Sequence, residues 1–188
     1  MLYHRRLPHW HPQDKGIFLT WHLKGSLPRN RFPPPSCPTH GQAFVWLDRF
    51  LDATLSGPRW LAMQEIARLV AESIVFGQQR LQQYELGAWA VMPNHVHLLL
   101  FPHVPIPIIT RRLKGYTARQ ANLFLRRTGE PFWQKESYDH WVRNEQEWAR
   151  IAKYIEENPV QAGLAKSPEE YRWSSAGWTS RREKSLSP

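Results

Sequence analysis

Hydrophobic residues recur at strand spacing in four stretches of the chain, each bounded by residues that favour turns. The predicted strands are Gly16–Leu23, Tyr84–Val91, the run from Met92 to Leu100, and Phe132–Val142, the last as a strand or an extended segment. Met92, Pro93 and Asn94 are expected to turn the chain between the second and third stretches. These two strands are therefore predicted to form an antiparallel hairpin.

Hydrophobic residues recur at helical spacing in four other stretches. The predicted helices are Gln42–Leu55, Trp60–Gly77, Pro107 to about Arg127, and Asn144 to Asn158. In the last helix Asn144 has the position of an N-cap and Glu147 that of its capping-box partner. Pro159 and Gly163 are expected to stop this helix.

The remaining segments lack a periodic pattern and are expected to be irregular. They are a basic, proline-punctuated arm over residues 1–15, a Pro-rich loop over residues 28–41, and a mobile basic tail over residues 179–188. Residues 1–178, including the arm, are expected to form a single domain, which is the usual size for a chain of 188 residues.

The charge balance favours a polyanionic partner. The chain has 25 Lys and Arg against 16 Asp and Glu, a formal net charge of +9. Ten Trp residues provide aromatic faces that can stack on unpaired bases, although most of them are expected to be packing residues. The single Cys37 excludes an intramolecular disulfide, and no long apolar run or leader is present, so a soluble intracellular protein without membrane contact is expected.

His95 and His97 are the first candidates for chemistry. Side chains alternate along a strand, so both imidazoles are expected on one face, where they can offer two nitrogen ligands to one metal ion. Two ordinary hydrogen-bonded histidines would give the same pattern. His9-Trp10-His11 repeats the spacing in a segment with no strand to hold it, and it is not expected to be a catalytic metal site.

A second candidate pair lies on the helix that begins at Asn144. Tyr154 falls on the flank of its apolar stripe, and Asn158 follows one turn later on the same side. A phenol beside a divalent metal can attack a phosphodiester, and two imidazoles with an amide oxygen are compatible with Mg²⁺ or Mn²⁺. The alternatives are a packing tyrosine and a plain helix terminator. Tyr116 falls in the apolar arc of its own helix and is expected in the core.

Three arginines seven residues apart are candidates for DNA contact. Arg112, Arg119 and Arg126 align on one side of the predicted third helix, where guanidinium groups could follow a phosphate backbone. A solvated charged face is the other interpretation. His22 is expected to be structural or a substrate contact.

Several motifs together resemble one family. They are Pro93–Leu99, Leu113–Arg119, Pro131–Gln134, Tyr154–Leu164, Arg5–Trp10 and Trp173–Ala176. In order and spacing they resemble the HUH-type single-tyrosine transposases, and most of all the REP-associated tyrosine transposases, bacterial relatives of the insertion-sequence enzymes. The resemblance covers nearly the whole chain.

The resemblance implies an α+β fold of ferredoxin-like (RRM-like) type, an antiparallel sheet with helices packed on one face and the histidine motif on a central strand. It implies that His95 and His97 bind Mg²⁺ or Mn²⁺ and that Tyr154 attacks single-stranded DNA to give a 5′-phosphotyrosine. The implied substrate is single-stranded DNA with hairpins formed by palindromic repeats. Arg5, Arg6 and Lys114 join the three arginines as expected DNA contacts.

One position departs from the family pattern. Insertion-sequence members carry Gln four residues after the tyrosine as a metal ligand, whereas this chain has the shorter Asn158, which leaves the third ligand open. The resemblance implies a bacterial cytoplasmic, nucleoid-associated enzyme, as monomer or homodimer. The alternatives are a DNA-hairpin-binding protein without catalysis and a zinc hydrolase or phosphoesterase, which would need a second histidine motif on a sheet strand.

Overall fold

A computed structural model describes residues 15–27, 40–53 and 57–186. The strands are β1 (Ile17–His22), β2 (Tyr84–Val91), β3 (His95–Pro102) and β4 (Tyr138–Trp141), and the helices are α1 (His40–Ala53), α2 (Gln64–Gln79), α3 (Ile106–Phe124), α4 (Glu145–Gln161) and α5 (Ser175–Leu186). Within the described ranges, none of these helices is long and apolar enough to span a membrane.

All four predicted strands and all four predicted helices are present, with shifted ends. The predicted segment Phe132–Val142 shortens to β4, and the stretch from Thr179, expected to be a tail, belongs to α5 as far as Leu186. Arg5, Arg6 and the His9-Trp10-His11 motif lie outside the described residues, as do Cys37 and most of the Pro-rich loop.

The sheet has the strand order β2-β3-β1-β4, and every neighbouring pair is antiparallel. Strand β3 is therefore central, and it carries both histidines of the motif. In the register of β1 with β3, His97 lies opposite Thr20 and His95 lies opposite His22. The expected α+β antiparallel sheet with the histidine motif on a central strand is confirmed.

One face of the sheet packs against α2 and α3. Alternation along β1 and β3 directs Ile17, Leu19 and Trp21 to this face together with Val96 and Leu98. The two helices bury one apolar stripe each, formed by Ile66, Val70, Ile74, Ile109 and Leu113 among others. This layer forms the larger core of the protein.

The opposite face, which carries the histidines, is covered by α1 and α4. Phe44 of α1 and Ile151 and Ile155 of α4 join Phe18 and Leu99 in a second buried cluster. Helices therefore lie on both faces of the sheet and not on one. The physical reason lies in β3, whose residues from His95 to Leu100 are buried on both sides, so each side must be covered.

Helix α3 differs from expectation at two positions. Its buried stripe follows Ile109, Leu113 and Ala121, whereas Tyr116 is 56% exposed, so the prediction of Tyr116 as a core residue is wrong. Tyr116 instead lines an open groove between α2 and α3. The helix ends at Phe124, and Arg126 follows with a φ of 56°, so Arg126 is not on the helix with Arg112 and Arg119.

Helix α4 begins as predicted and ends later. The Asn144 side chain accepts a hydrogen bond of 2.8 Å from the Glu147 backbone N–H, and the Glu147 carboxylate accepts one of 2.7 Å from the Arg143 N–H. The helix then continues through Pro159 to Gln161. Proline at this position removes a single backbone hydrogen bond near the helix end. Val160 and Gln161 therefore remain helical and complete the last turn.

Trp148 fixes α4 against the sheet. Its indole ring lies over Gly16 before β1 and over Gly87 at the irregularity of β2, and a Cβ on either glycine would overlap the ring. Both positions therefore require the absence of a side chain. Helix α4, with Tyr154 further along it, is held at a set distance from the histidine face.

We expect Gly87→Ala to lower the free energy of unfolding by about 1–3 kcal/mol, because the added methyl must displace the Trp148 ring. Gly115→Ala is the matched control, since this glycine lies in α3 with open space around its Cα, and alanine there should stabilise by about 0.5–1 kcal/mol. Urea unfolding of both variants measures the difference. Equal stability of the two variants would contradict the proposed packing.

Candidate metal centre

The two imidazoles converge on one point of the histidine face. His95 and His97 are both fully buried, and their Nε2 atoms lie 3.0 Å apart. Strand alternation places the rings on one face, and the pleat brings their outer nitrogens together. Neighbouring ligands of a divalent ion with bonds of about 2.0–2.2 Å lie about 3 Å apart, so this spacing suits a shared ion.

The inner nitrogens are held by the surrounding structure. Asn94 donates through Nδ2 to the Leu51 carbonyl, so its Oδ1 accepts from His95 Nδ1 at 2.7 Å. Thr20 Oγ1 lies 2.9 Å from His97 Nδ1. The hydrogen on His95 Nδ1 leaves its Nε2 as a lone-pair donor to an ion. Such outer contacts orient histidine ligands in metal sites.

A third ligand candidate comes from α1. Asp48 is buried, and its Oδ1 lies 3.2 Å from His97 Nε2 and 3.5 Å from His95 Nε2. Asp48, His95 and His97 offer ligand atoms that all lie within 4.8 Å of one another. Two imidazoles and one carboxylate form a donor set that suits a divalent metal ion.

Tyr154 reaches this group from α4. Its hydroxyl donates a hydrogen bond to Asp48 Oδ2, and its ring centroid lies 6.0 Å from that of His97. Phe18 and Phe44 contact the phenol ring edge-on and hold its plane. One carboxylate thus faces the imidazole pair through Oδ1 and the phenol through Oδ2, all within a single chain.

Asn158 also points to Asp48. Its Nδ2 donates to Asp48 Oδ2 at 3.1 Å, and its own Oδ1 is buried and accepts no hydrogen bond. The same is true of Asp48 Oδ1 and of Asp52 Oδ1, which lies 3.7 Å from His95 Nε2. Buried oxygens without a partner are costly. A cation bound between the two imidazoles and the carboxylate oxygens would compensate this cost, so the residues present fit a metal ion.

Burial and mutual charge shift the pKa values of these groups. Burial lowers the pKa of His95 to about 3, and it raises that of Asp52 to about 7 with help from the charge of Asp48. Burial alone would raise the pKa of Asp48, but His97 and His95 outweigh it and hold the pKa below its usual value. Burial, and after it Asp48, raises the pKa of Tyr154, so the phenol is neutral in the folded protein.

The residues expected to bind DNA lie in different surroundings. Arg112 and Arg119 are exposed on α3, on the far side of the sheet from the histidines, and Arg126 is exposed beyond the helix end. Lys114 is half-buried, and its ammonium group donates to the carbonyls of Gln134 and Lys135. Burial lowers the pKa of Lys114 to about 8. Lys114 therefore holds the segment before β4 in place.

His22 contributes to a turn next to the site. Its Nδ1 lies 3.0 Å from the Leu23 carbonyl and 2.9 Å from Ser26 Oγ, which itself donates to that carbonyl. Burial is the main cause that lowers its pKa. The structural role expected for His22 is present, beside His95 in the sheet register.

Sequence reasoning missed Asp48 and Asp52. The helix that carries them is predicted as Gln42–Leu55, and its acids are assigned no function from the sequence alone. A signal was available, because the helical period places Asp48 within the apolar side formed by Phe44 and Leu51, with Asp52 on its flank. A carboxylate inside an apolar helix face is rarely buried without a partner. His95 and His97, the histidine pair on one face of the predicted strand, were the candidate partners.

One family model matches the chain, and a solved structure matches its fold. A family model described as IS200-like transposase matches residues 61–158, which is more than half of the chain. A solved structure of a REP-associated tyrosine transposase bound to a REP hairpin matches with 20% identity and a TM-score of 0.58, covering 100% of this chain and 89% of that one. A transposase crystal structure from Deinococcus radiodurans R1 matches with 22% identity and a TM-score of 0.36, covering 84% and 98%. No curated protein sequence matches significantly.

The buried His95 predicts a pH dependence of stability. Its pKa is about 3 in the folded protein and 6.5 when unperturbed, so between these values the unfolded chain takes up a proton that the folded chain does not. As the pH falls from 6.5 toward 3, we expect this group to reduce the free energy of unfolding by up to about 1.4 kcal/mol per pH unit.

Urea unfolding in EDTA across this pH range measures the slope. His95→Gln should flatten it, because glutamine takes up no proton in this range. Parallel curves for the wild type and His95→Gln would show that His95 does not supply the dependence.

Proposed function

The chain belongs to the IS200-like transposase family, and from this premise we propose that it cuts and rejoins single-stranded DNA at hairpins of palindromic repeats through a 5′-phosphotyrosine on Tyr154. The observation that supports the proposal is that the side chains of Tyr154, His95 and His97 all face the carboxylate of one residue. Asp48 receives the Tyr154 hydroxyl on one oxygen and faces the paired Nε2 atoms on the other. The nucleophile and the candidate metal ligands thereby share one reaction centre.

In the cleavage step, Tyr154 Oη forms a bond to the phosphorus of a phosphodiester. The bond from phosphorus to the 3′ oxygen breaks, and the released strand end takes up a proton as a 3′-hydroxyl. The phenol is neutral at rest, so its proton must leave during attack, and Asp48 Oδ2 already accepts a hydrogen bond from that hydroxyl. Attack by another 3′-hydroxyl reverses these bond changes and rejoins the strands.

His95, His97 and Asp48 would hold a divalent ion, which we propose to be Mg²⁺ or Mn²⁺. Such an ion supplies charge stabilisation to the oxygens of the reacting phosphate. Asn158 was expected as the third ligand. Its amide group donates to Asp48, and Asp48 is now the better candidate, while the partnerless Asn158 Oδ1 remains available as an additional oxygen.

The substrate class is proposed from three features. The similar solved structure contains a REP-associated tyrosine transposase with a REP hairpin, the chain carries a net charge of +9, and Arg112 and Arg119 are exposed on α3. We propose that these arginines contact the phosphates of a hairpin stem at a distance from the cleavage site. Arg126, Arg5 and Arg6 remain candidates for the same role. The reaction requires access to the chromosome, so we propose a cytoplasmic protein at the nucleoid.

Tyr154→Phe should abolish the covalent complex with DNA. The test incubates hairpin oligonucleotides from the host's palindromic repeats with the protein and Mn²⁺, then separates the products on a denaturing gel. A label at the 3′ end should move with the wild-type protein, because the 5′ phosphate of the downstream strand is attached to it. A label at the 5′ end should appear on a shortened strand with a free 3′-hydroxyl.

Tyr116→Phe is the matched control, since it removes the hydroxyl of an exposed tyrosine outside the site, and it should form the adduct at the wild-type level. An adduct with Tyr154→Phe would exclude this residue as the nucleophile. Binding without any adduct by the wild type would favour the alternative, a DNA-hairpin-binding protein without catalysis.

Arg112→Ala and Arg119→Ala should weaken hairpin binding and reduce its salt dependence. Each lost phosphate contact is expected to lower the slope of log affinity against log salt by about 0.7–0.9. Fluorescence anisotropy over a salt series measures this slope. Arg80→Ala, which removes an exposed arginine at the C-terminal cap of α2, serves as the control, and its slope should equal the wild-type value. Unchanged slopes in both α3 variants would show that Arg112 and Arg119 face solvent without contacting DNA.

A further inference from the structure

Helix α1 presents two carboxylates toward the histidines. Asp48 and Asp52 lie one helical turn apart, so they share the side of α1 that faces β3. The Asp48 side chain is fully buried and that of Asp52 is 16% exposed. Among the described residues, no lysine or arginine forms an ion pair with either of them. Two acids on one turn repel each other, so their common position calls for a cation.

Both carboxylates direct an oxygen at the same nitrogen. Asp48 Oδ1 lies 3.5 Å and Asp52 Oδ1 lies 3.7 Å from His95 Nε2. Each of these oxygens is buried and has no hydrogen-bond partner. His95 Nδ1 already donates to Asn94, so its Nε2 has no hydrogen to offer them while the ring is neutral. Asp52 Oδ1 and His95 Nε2 thus face each other with no hydrogen on the nitrogen between them.

We propose that Asp52 is a further ligand of the metal ion, so that α1 supplies a carboxylate pair, Asp48 and Asp52, opposite the imidazole pair of β3. This inference rests on the metal centre of the proposed function and adds a residue to it. A set of two imidazoles and two carboxylates suits a divalent ion that accepts both nitrogen and oxygen, and Mn²⁺ fits this description better than Mg²⁺, which prefers oxygen ligands and water.

The ligand pair has a consequence for α1. Phe44 and Leu51 pack this helix into the smaller core, and the Leu51 carbonyl accepts from Asn94. An ion held by both acids and both histidines would join α1 to the central strand at one more point. Ion binding should then stabilise α1 against local opening as well as complete the reaction centre.

The test measures Mn²⁺ binding to the full chain by isothermal titration calorimetry after removal of metal with EDTA. Asp52→Asn should bind Mn²⁺ on the order of 10–100 times more weakly than the wild type. Asp139→Asn is the matched control, because it makes the same substitution on β4, where Asp139 pairs with Leu19 and its side chain belongs to the opposite face of the sheet. Its affinity should equal that of the wild type.

Thermal unfolding provides a second measurement that also reports folding. In EDTA, Asp52→Asn should have a Tm at least as high as the wild type, because the substitution removes the repulsion from Asp48. In Mn²⁺ the Tm of the wild type should rise more than that of Asp52→Asn, since only the wild type gains the full binding energy. Hydrogen exchange of the α1 amides should slow with Mn²⁺ in the wild type and less so in Asp52→Asn.

Two results would overturn the proposal, and they differ from each other. Wild-type Mn²⁺ affinity in Asp52→Asn together with lost affinity in Asp48→Asn would exclude Asp52 as a ligand and leave the metal centre intact. Absence of Mn²⁺ binding by the wild type itself would remove the metal centre of the proposed function and this ligand with it.

Discussion

The buried carboxylate of Asp48 is the group on which the site depends. An ionised acid inside a core is stable only when charges or donors surround it. The Tyr154 hydroxyl and the Asn158 amide donate to one oxygen of Asp48, and the other oxygen faces the two imidazoles, where a cation would complete its surroundings. These partners come from β3 and α4, whereas the acid comes from α1. The electrostatic requirement of one residue therefore brings three separate elements of the chain to a single point.

The sheet makes this arrangement rigid. Strand β3 lies between β2 and β1, so both imidazoles stand on a backbone that is hydrogen-bonded on both sides. Asn94 and Thr20 then fix the ring orientations through the inner nitrogens. Preorganisation of this kind fixes the donor atoms of the candidate metal centre in place before any ion binds. It also explains why the second face of the sheet needs its own helices, since open solvent there would leave the acid and the imidazoles hydrated.

Periodicity along the chain was enough to predict the strands, four of the five helices and the position of the histidine pair, because each of these is determined by neighbours within a few residues. The residues Asp48 and Asp52 could not be paired with His95 in this way, as more than forty positions separate them and only the packing of α1 joins them. Tyr116 shows the opposite failure. Its place in an apolar arc predicted burial, yet α2 covers only the part of that arc around Ile109 and Leu113, and the tyrosine stays exposed. Both cases are decided by how the helices pack against each other and the sheet. The local sequence pattern carries no information about that packing.

The position of the phenol follows from packing at the other end of its helix. Trp148 lies over Gly16 and Gly87, and Asn144 caps the first turn of α4. These contacts fix the distance of the N-terminal part of α4 from the sheet and its rotation about the helix axis. Tyr154 follows Trp148 by six residues, on the side of the helix that faces Phe18 and Phe44. The same chain that carries the histidines therefore delivers the tyrosine to them, and no exchange of helices between subunits is required to assemble the site. The family's chemistry, which needs a phenol and an ion beside one phosphate, is thereby compatible with a reaction centre built from a single copy of this fold.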